Sequence, residues 1–445
     1  MSLRAGIDFV REAFRYQNRF AGSTMVFKID YPLTEDPGFA YLMRDLSLLV
    51  KSGIKAAVVP GCSERIDAAL KAQSIVSQYI GGERITTKEA LPFVETAAFH
   101  AASRFITGLS ASRVDAVIGN FVRARARGVI DGVDMQFTGG VDKIYTASLS
   151  RVLDFEITPV LPCIGWSPAG KAYNVPSDEI AFAASQALGA IKLIIVSDGP
   201  FLSPKDCLNL TLPPSIERDK NGRIIRLRPH EAETLLALSH FNDGCAAERW
   251  TGRLSLALRA IEAGVERVHI IDGREEGALL REIYSNLGSG TMVYADEQDS
   301  IRPIRNCEIA DVIHLMEPFV QKDILLRRRA VDIQEKKDDY VVLEIDGSIR
   351  ACAALHDWGE GQCEIAALAS DAAFADMGLG ARIVDHLIDK ARKKRFKRVF
   401  VLTTRTGDWF EARGFFQDSV DSLPSKKRAV YNKARGSKVF SLNLE

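Results

Sequence analysis

Short apolar runs alternate with longer amphipathic stretches over the first two thirds of the chain, and this alternation restricts the fold more than any other feature. Thr24 to Ile29 (TMVFKI) and Lys55 to Val59 (KAAVV) read as strands buried on both faces, with Phe39 to Lys51 as the helix between them. The rhythm continues through Ala116 to Ile118, Thr158 to Leu161, Leu193 to Val196 and Arg267 to Ile271, with helices over Asp178 to Leu188 and Arg253 to Ala263. Continuous apolar strands separated by helices predict an α/β fold with a mostly parallel sheet. Ahead of them, Phe9, Val10, Ala13, Phe14 and Phe20 make Ile7 to Phe20 an amphipathic helix that needs a second surface to cover it.

A chain of 445 residues is too long for one compact core. The large α/β domain runs to about Val293, and the polar segment ADEQDSIRP, Ala295 to Pro303, reads as a connector. After it come a helix (Ala310 to Phe319) and a hairpin of Tyr340 to Ile345 with Ile349 to Leu355, turning at Asp346-Gly347. Strands at Cys363 to Ala369, Arg398 to Thr403 and Lys438 to Leu444 follow, with helices at Gly380 to Lys394 and Trp409 to Arg413. Three parts are expected: an N-terminal helix, 1–20; an α/β domain, 21–295; and a second α/β domain, 301–445.

The 58 basic and 58 acidic side chains cancel, so the attraction to phosphate backbones or anionic lipid that marks a strongly basic protein is missing, and nucleic acid is not an expected partner. Seven scattered cysteines, none spaced as CxxC, suggest reduced thiols and no zinc site. No stretch approaches the roughly 20 apolar residues of a membrane span, and the N-terminus lacks a signal-like apolar core. A cytoplasmic protein without metal is expected.

In the last third, Gly378 and Gly380 open a helix directly after a strand. Glycines there let backbone N–H groups approach a pyrophosphate that the helix dipole also favours, although a plain helix-entry turn uses the same residues. Strand, glycine loop, long helix, strand, WFxxxGF and a final strand resemble the GNAT acetyltransferases over Ile301 to Glu445. ILLRR (Ile324 to Arg328), CAAL (Cys352 to Leu355), EIAALA (Glu364 to Ala369), VLTTRTGDWFEARGF (Val401 to Phe415) and LPSKKRAVYNKARGSKVF (Leu423 to Phe440) resemble the bacterial N-acetylglutamate synthases in particular.

The resemblance implies transfer of acetyl from acetyl-CoA to the amino group of L-glutamate. It implies that Glu364 is the general base, in place of a surface carboxylate, and that Thr403 or Tyr431 supplies the acid for the departing thiolate. Ala366, Ala367, Leu368 and Ala369, with Asp376, Met377, Gly378, Leu379, Gly380 and Ala381, would hold the co-substrate. Relatives often carry cysteine at Ala367 and glutamine or arginine at Ala375; backbone binding tolerates both departures. Arg327 and Arg435 would hold the acceptor carboxylates, as planar guanidinium groups do well, with Leu325 and Ser437 beside them. Arg328 and Arg329 read as solvated, and the basic run Lys390 to Arg398 reads as a charged helix end for most of its residues, with contact to the 3′-phosphate of CoA as the alternative.

The first domain resembles the amino acid kinases, acetylglutamate kinase above all, through GNFVRARARGVIDGVD (Gly119 to Asp134), YNVPSDEIA (Tyr173 to Ala181) and VHIIDGREEGALLREIYSNLGSGTMV (Val268 to Val293). The phosphate-cradling glycines of that fold are replaced by Ile29-Asp30-Tyr31 and Pro60-Gly61-Cys62, which argues against kinase activity. Asn174 and Asp178 are expected to cap the helix that begins there. Resemblance to arginine-regulated relatives implies an L-arginine site of His269, Glu282 and Gly288, with Phe20 where relatives have tyrosine, and a homo-oligomer, a hexamer joined through the N-terminal helices. Open alternatives are a GNAT enzyme for another amine, a bifunctional synthase-kinase, and a noncatalytic arginine sensor.

Overall fold

The computed structural model describes residue 14 and residues 17–199, 216–218, 222–239, 245–284, 289–294, 300–345, 348–371 and 378–444. It divides into two compact units, residues 1–296 and 297–445. Most of the N-terminal helix read from the sequence, and the Asp346-Gly347 turn, lie outside the described residues.

In the first unit, apart from two short two-stranded ribbons, the strands are β1 (Thr24–Ile29), β2 (Lys55–Pro60), β3 (Ala116–Ile118), β4 (Val122–Ala126), β5 (Gly139–Ile144), β6 (Thr158–Val160), β7 (Ile164–Trp166), β8 (Ala172–Asn174), β9 (Lys192–Ser197), β10 (Glu217–Arg218), β11 (Ile224–Leu227), β12 (Arg267–Asp272) and β13 (Thr291–Tyr294). The main sheet has the order β10-β11-β13-β12-β9-β1-β2-β6-β3. From β12 to β3 neighbours are parallel, while β13 runs against β12. Helices α1 (Phe39–Lys51), α2 (Ser63–Ala72), α3 (Leu91–Ala111), α4 (Ser177–Ala187), α5 (Cys245–Glu262) and α6 (Ala278–Tyr284) make crossovers and cover the faces.

The period-2 alternation of each strand sorts its side chains between two cores. Phe27, Ile29 and Ile194 pack with Leu42, Leu46 and Leu49 of α1, Phe105 of α3 and Ile283 of α6. Val26, Leu193 and Ile195 pack with Ile180 and Ala184 of α4 and Leu254, Leu258 and Ile261 of α5. A smaller sheet, β8-β7-β4-β5, was not evident in the sequence.

The second unit is one sheet of β14 (Ser300–Pro303), β15 (Tyr340–Ile345), β16 (Ser348–Gly359), β17 (Gln362–Ser370), β18 (Arg398–Thr403), β19 (Phe416–Asp418) and β20 (Lys438–Asn443), in the order β14-β15-β16-β17-β18-β20-β19. One face carries α8 (Leu379–Lys393), whose Ile383, Val384 and Leu387 pack on Leu343, Leu355 and Ile365. The other carries α7 (Ile309–Gln321), whose Val312 and Met316 pack on Val342, Cys352 and Ala369. Residues 300–303 of the expected connector are instead an edge strand. Arg302 explains this: its guanidinium binds both Glu308 and the neighbouring strand's Glu344.

Candidate active site

The second sheet opens at β17. On one side this strand pairs with β16 from Gln362 to Ser370, but its parallel pairing with β18 ends at Glu364 opposite Phe400. Beyond that point β18 continues only against β20, as far as Thr403 opposite Lys438. A bulge accompanies the split: Ala366 pairs with Ala354 and Ala369 with Cys352, which leaves Ala367 and Leu368 facing Ala353 alone. Ala367 takes φ 54°, the left-handed region that places extra twist in the strand. Glu364 therefore sits at the fork, with the strand Ile365 to Ala369 as one wall and the end of β18, bearing Thr403, as the other.

Near this fork α8 begins at Gly378, whose φ of 63° is the conformation that glycine adopts without strain. Gly380 follows in the first turn; a Cβ there would lie 3.7 Å from the Trp409 ring. Leu379 is buried in the core, and the Ala381 N–H already donates to the Gly378 carbonyl at 3.0 Å, which leaves the N–H groups of Leu379 and Gly380 at the helix N-terminus. Asp376 and Met377 lie outside the described residues, as does Ala375.

Glu364 is buried, and both its oxygens meet the Lys427 ammonium, Oε1 at 2.8 Å and Oε2 at 2.6 Å. Oε2 also accepts from Trp358 Nε1 at 2.8 Å. Its cross-strand neighbour is His356, whose Nδ1 lies 2.7 Å from Asp339 Oδ2 and whose Nε2 lies 3.3 Å from Arg328 NH1. Burial lowers the His356 pKa against the pull of Asp339, and the Arg328 charge lowers it further. The neutral ring then donates from Nδ1 to Asp339 and accepts from Arg328. Arg328 is thus not solvated as expected: it also donates to Tyr340 Oη at 2.9 Å. Arg329 is exposed and pairs with Asp332.

Among the acceptor-binding candidates, Arg435 is tied to the backbone just ahead of Leu325 and Arg327. Its NH2 donates to the Ile324 carbonyl at 2.7 Å and the Asp323 carbonyl at 3.3 Å, joining it to the loop that carries Leu325 and Arg327. Its Nε is buried and has no hydrogen-bond partner among the described residues, a donor available to a carboxylate. Arg327 is exposed and reaches Glu317 Oε1 at 3.0 Å, and Leu325 packs beside the α7 core. Ser437 is buried, and its carbonyl accepts from Tyr431 Oη at 2.6 Å. Tyr431 and Trp358 pack against the same residues, Phe400, Leu423 and Val439. Thr403 Oγ1 lies 2.7 Å from Thr406 Oγ1 and accepts from the Thr406 N–H at 3.0 Å, so it also shapes the turn after β18. Lys427, Trp358 and His356 escaped the sequence reading; the available signal was the period-2 spacing of Trp358 from His356, which stands opposite Glu364.

In the first unit, charged side chains converge at the ends of β1 and β2, where kinase glycines are missing. Lys28 pairs with Asp30 and, at 3.2 Å, with Asp178; Arg253 reaches Asp30 at 2.7 Å and Asp198 at 3.4 Å. Gly61 is required by closeness, since a Cβ would lie 3.1 Å from the Tyr31 nitrogen and 3.2 Å from the Asp30 Cα. The expected caps are corrected: the cap position of α4 is Pro176, so Asn174 lies outside the helix, donating to Thr86, and Asp178 lies within its first turn, paired with Lys28. Among the described residues no group of three or more His, Cys, Asp or Glu side chains could hold a metal, and no helix is long and apolar enough to cross a membrane.

Further along, His269 Nδ1 lies 2.6 Å from Glu282 Oε1, and Glu282 Oε2 accepts from the N–H groups of Ser289 at 2.5 Å and Gly290 at 3.0 Å. Burial alone would raise the Glu282 pKa, but His269 and these N–H donors outweigh it and bring it to about 2. Burial, reinforced by Lys192 and Arg267, lowers His269 to about 4 against the opposing pull of Glu282. His269 Nε2 is buried without a partner among the described residues. The Phe20 ring is flanked by Lys192 Nζ, 4.6 Å from its centroid. Gly288 lies outside the described residues.

Residues 32–272 match the amino acid kinase family and residues 309–418 the acetyltransferase (GNAT) family. An amino-acid acetyltransferase of Pseudomonas fluorescens is 31% identical over 449 residues, covering 98% of this chain and 99% of the relative. One from Neisseria meningitidis is 34% identical, covering 95% and 94%. The chain belongs to the amino-acid acetyltransferase family. This acetyltransferase also superposes over its whole length, with 32% identity and a TM-score of 0.82, on the N-acetylglutamate synthase of Neisseria gonorrhoeae crystallised with coenzyme A and L-arginine. The same synthase with coenzyme A and N-acetylglutamate gives a TM-score of 0.61.

Proposed function

We propose that this acetyltransferase is an N-acetylglutamate synthase: it transfers the acetyl group of acetyl-CoA to the amino group of L-glutamate, releasing N-acetyl-L-glutamate and CoA, as in the first step of arginine biosynthesis. The observation that carries the reading is the placement of buried Glu364 at the fork of β17 and β18, linked through Trp358, Tyr431 and Ser437 to the arginine-bearing segments. A fork with bulged backbone on one wall and a glycine-capped helix nearby suits a thioester and pyrophosphate. Ala366 to Ala369 and Gly378 to Ala381 would bind CoA mainly through backbone.

Glu364 takes a proton from the glutamate ammonium, which leaves a lone pair on nitrogen to attack the thioester carbonyl. Backbone N–H groups around Ala367 and Leu368 steady the negative charge that develops on the thioester oxygen. As the C–S bond breaks the nitrogen gives up its second proton to solvent, and Thr403 or Tyr431 supplies a proton to the departing sulfur and is reprotonated from solvent. Arg327 and Arg435 hold the two acceptor carboxylates, beside Leu325 and Ser437.

The Glu282, His269 and Gly288 neighbourhood is assigned to L-arginine as effector. A carboxylate held ionised beside an unpartnered buried imidazole nitrogen suits a guanidinium ligand. The N-terminal helix is assigned to homo-oligomer contacts, in a hexamer, and the cytoplasm is the assigned compartment. CoA release measured with glutamate, lysine or a polyamine, each with and without arginine, tests the reading. Glutamate should be the preferred acceptor and arginine should change the rate; preference for another amine would contradict the acceptor assignment.

A further inference from the structure

The reaction as described leaves Lys427 without a task. Its side chain is 14% exposed, its ammonium touches both Glu364 oxygens, and it lies over the Trp358 ring at 4.6 Å from the centroid. Burying an ammonium is costly unless it is paired and hydrogen-bonded, so this seat on α9 (Ser425–Ala429) is a built one. Two donors meet Oε2, from Lys427 and Trp358, while Oε1 meets Lys427 alone among the described residues. A carboxylate offers about four lone-pair sites, so Oε1 keeps the freer one.

We propose that Lys427, seated on Trp358, is a positioning residue for the base: it holds the buried Glu364 carboxylate through both oxygens and leaves the open Oε1 lone pair for the acceptor ammonium. This rests on the reading of Glu364 as the base. The other charged and titratable groups around Glu364 do not replace Lys427. His356, across the ladder, is committed to Asp339 and Arg328, and Lys336 lies over the Trp358 ring at 5.7 Å from the centroid. With Lys427 gone, the buried carboxylate would lose the donor that meets both its oxygens and keep only Trp358.

The test is the pH dependence of kcat/KM for glutamate in the full-length chain. Lys427→Met should move the acidic limb upward by about one pH unit or more, with activity recovering toward the native value on the alkaline side. KM for acetyl-CoA should stay put. Lys427→Arg should restore the native limb, because a guanidinium can serve both oxygens. Trp358→Phe should give a smaller shift in the same direction, and it carries the test if Lys427→Met fails to fold. Coincident acidic limbs for native and variant proteins would overturn the proposal. Glu364→Gln run alongside separates the two claims. Retained turnover there removes the base assignment itself; lost turnover with an unmoved Lys427→Met profile removes only the role of Lys427.

Discussion

The Arg435 guanidinium donates to the carbonyl of Ile324, a residue 111 positions earlier, at 2.7 Å. That bond ties the C-terminal basic segment to the loop bearing Leu325 and Arg327, other residues proposed to hold the acceptor. Arg327→Met and Arg435→Met should each raise KM for glutamate about ten- to a hundredfold, the value of a charge-assisted hydrogen bond of roughly 1.5–3 kcal/mol. KM for acetyl-CoA should change little. Steady-state kinetics with each substrate varied in turn decides it; equal rises in both constants would contradict acceptor binding.

Ala367 holds φ 54° in the bulge beside the fork. A β-branched side chain tolerates that conformation poorly, so Ala367→Val should destabilise the second unit by roughly 1–2 kcal/mol, and Ala367→Gly should not. Thermal unfolding compares the two. A native Tm for the valine variant would mean that the bulge relaxes without cost.

Asp30 accepts from Lys28 and Arg253, two buried cations that each keep one further carboxylate, Asp178 and Asp198. Asp30→Ala should destabilise the first unit by about 3 kcal/mol, the lower end for breaking a buried pair. Denaturant unfolding measures this, and a change under about 0.5 kcal/mol would show that the network contributes only as much as exposed pairs do.

His269 supplies a pH dependence with a definite sign. Its folded pKa, near 4, lies below the unbound value of 6.5, so between those pH values the unfolded chain binds the extra proton and stability falls as pH falls. Glu282, lowered to about 2 from 4.5, continues the decline in the same direction below pH 4.5. Tm of the first unit should therefore drop from pH 7 to pH 4, and His269→Gln should flatten the 6.5-to-4 portion. Unchanged slopes would show that the imidazole titrates freely.

Much of the architecture was legible because it rests on local signals. β1 and β2 are continuous apolar runs buried on both faces, and the Phe39 to Lys51 helix was read with its observed bounds. Gly378 announced the start of α8 through the positive φ it was needed for. The small sheet was not legible: Ile164–Trp166 and Ala172–Asn174 are three-residue strands, too short to show a period. Asp30 and Arg253 stand 223 residues apart and meet only because parallel strand order places them together. Lys427 lies in the LPSKKRAVYNKARGSKVF string that carried the family resemblance, but nothing local reveals that it turns inward onto Glu364. Asp178 resembled a helix cap by position, yet a nearby buried lysine offered the carboxylate a stronger partner than the helix N–H groups.

The most direct test of the central claim is the rate of thiol release from acetyl-CoA on adding glutamate, for the native chain and for Glu364→Gln. The native chain should release CoA in step with N-acetylglutamate formed, and the variant should be slower by about 10²- to 10⁴-fold, the usual worth of a positioned general base, while still binding both substrates. Equal turnover by the two proteins would contradict the assignment of Glu364 and the chemistry built on it.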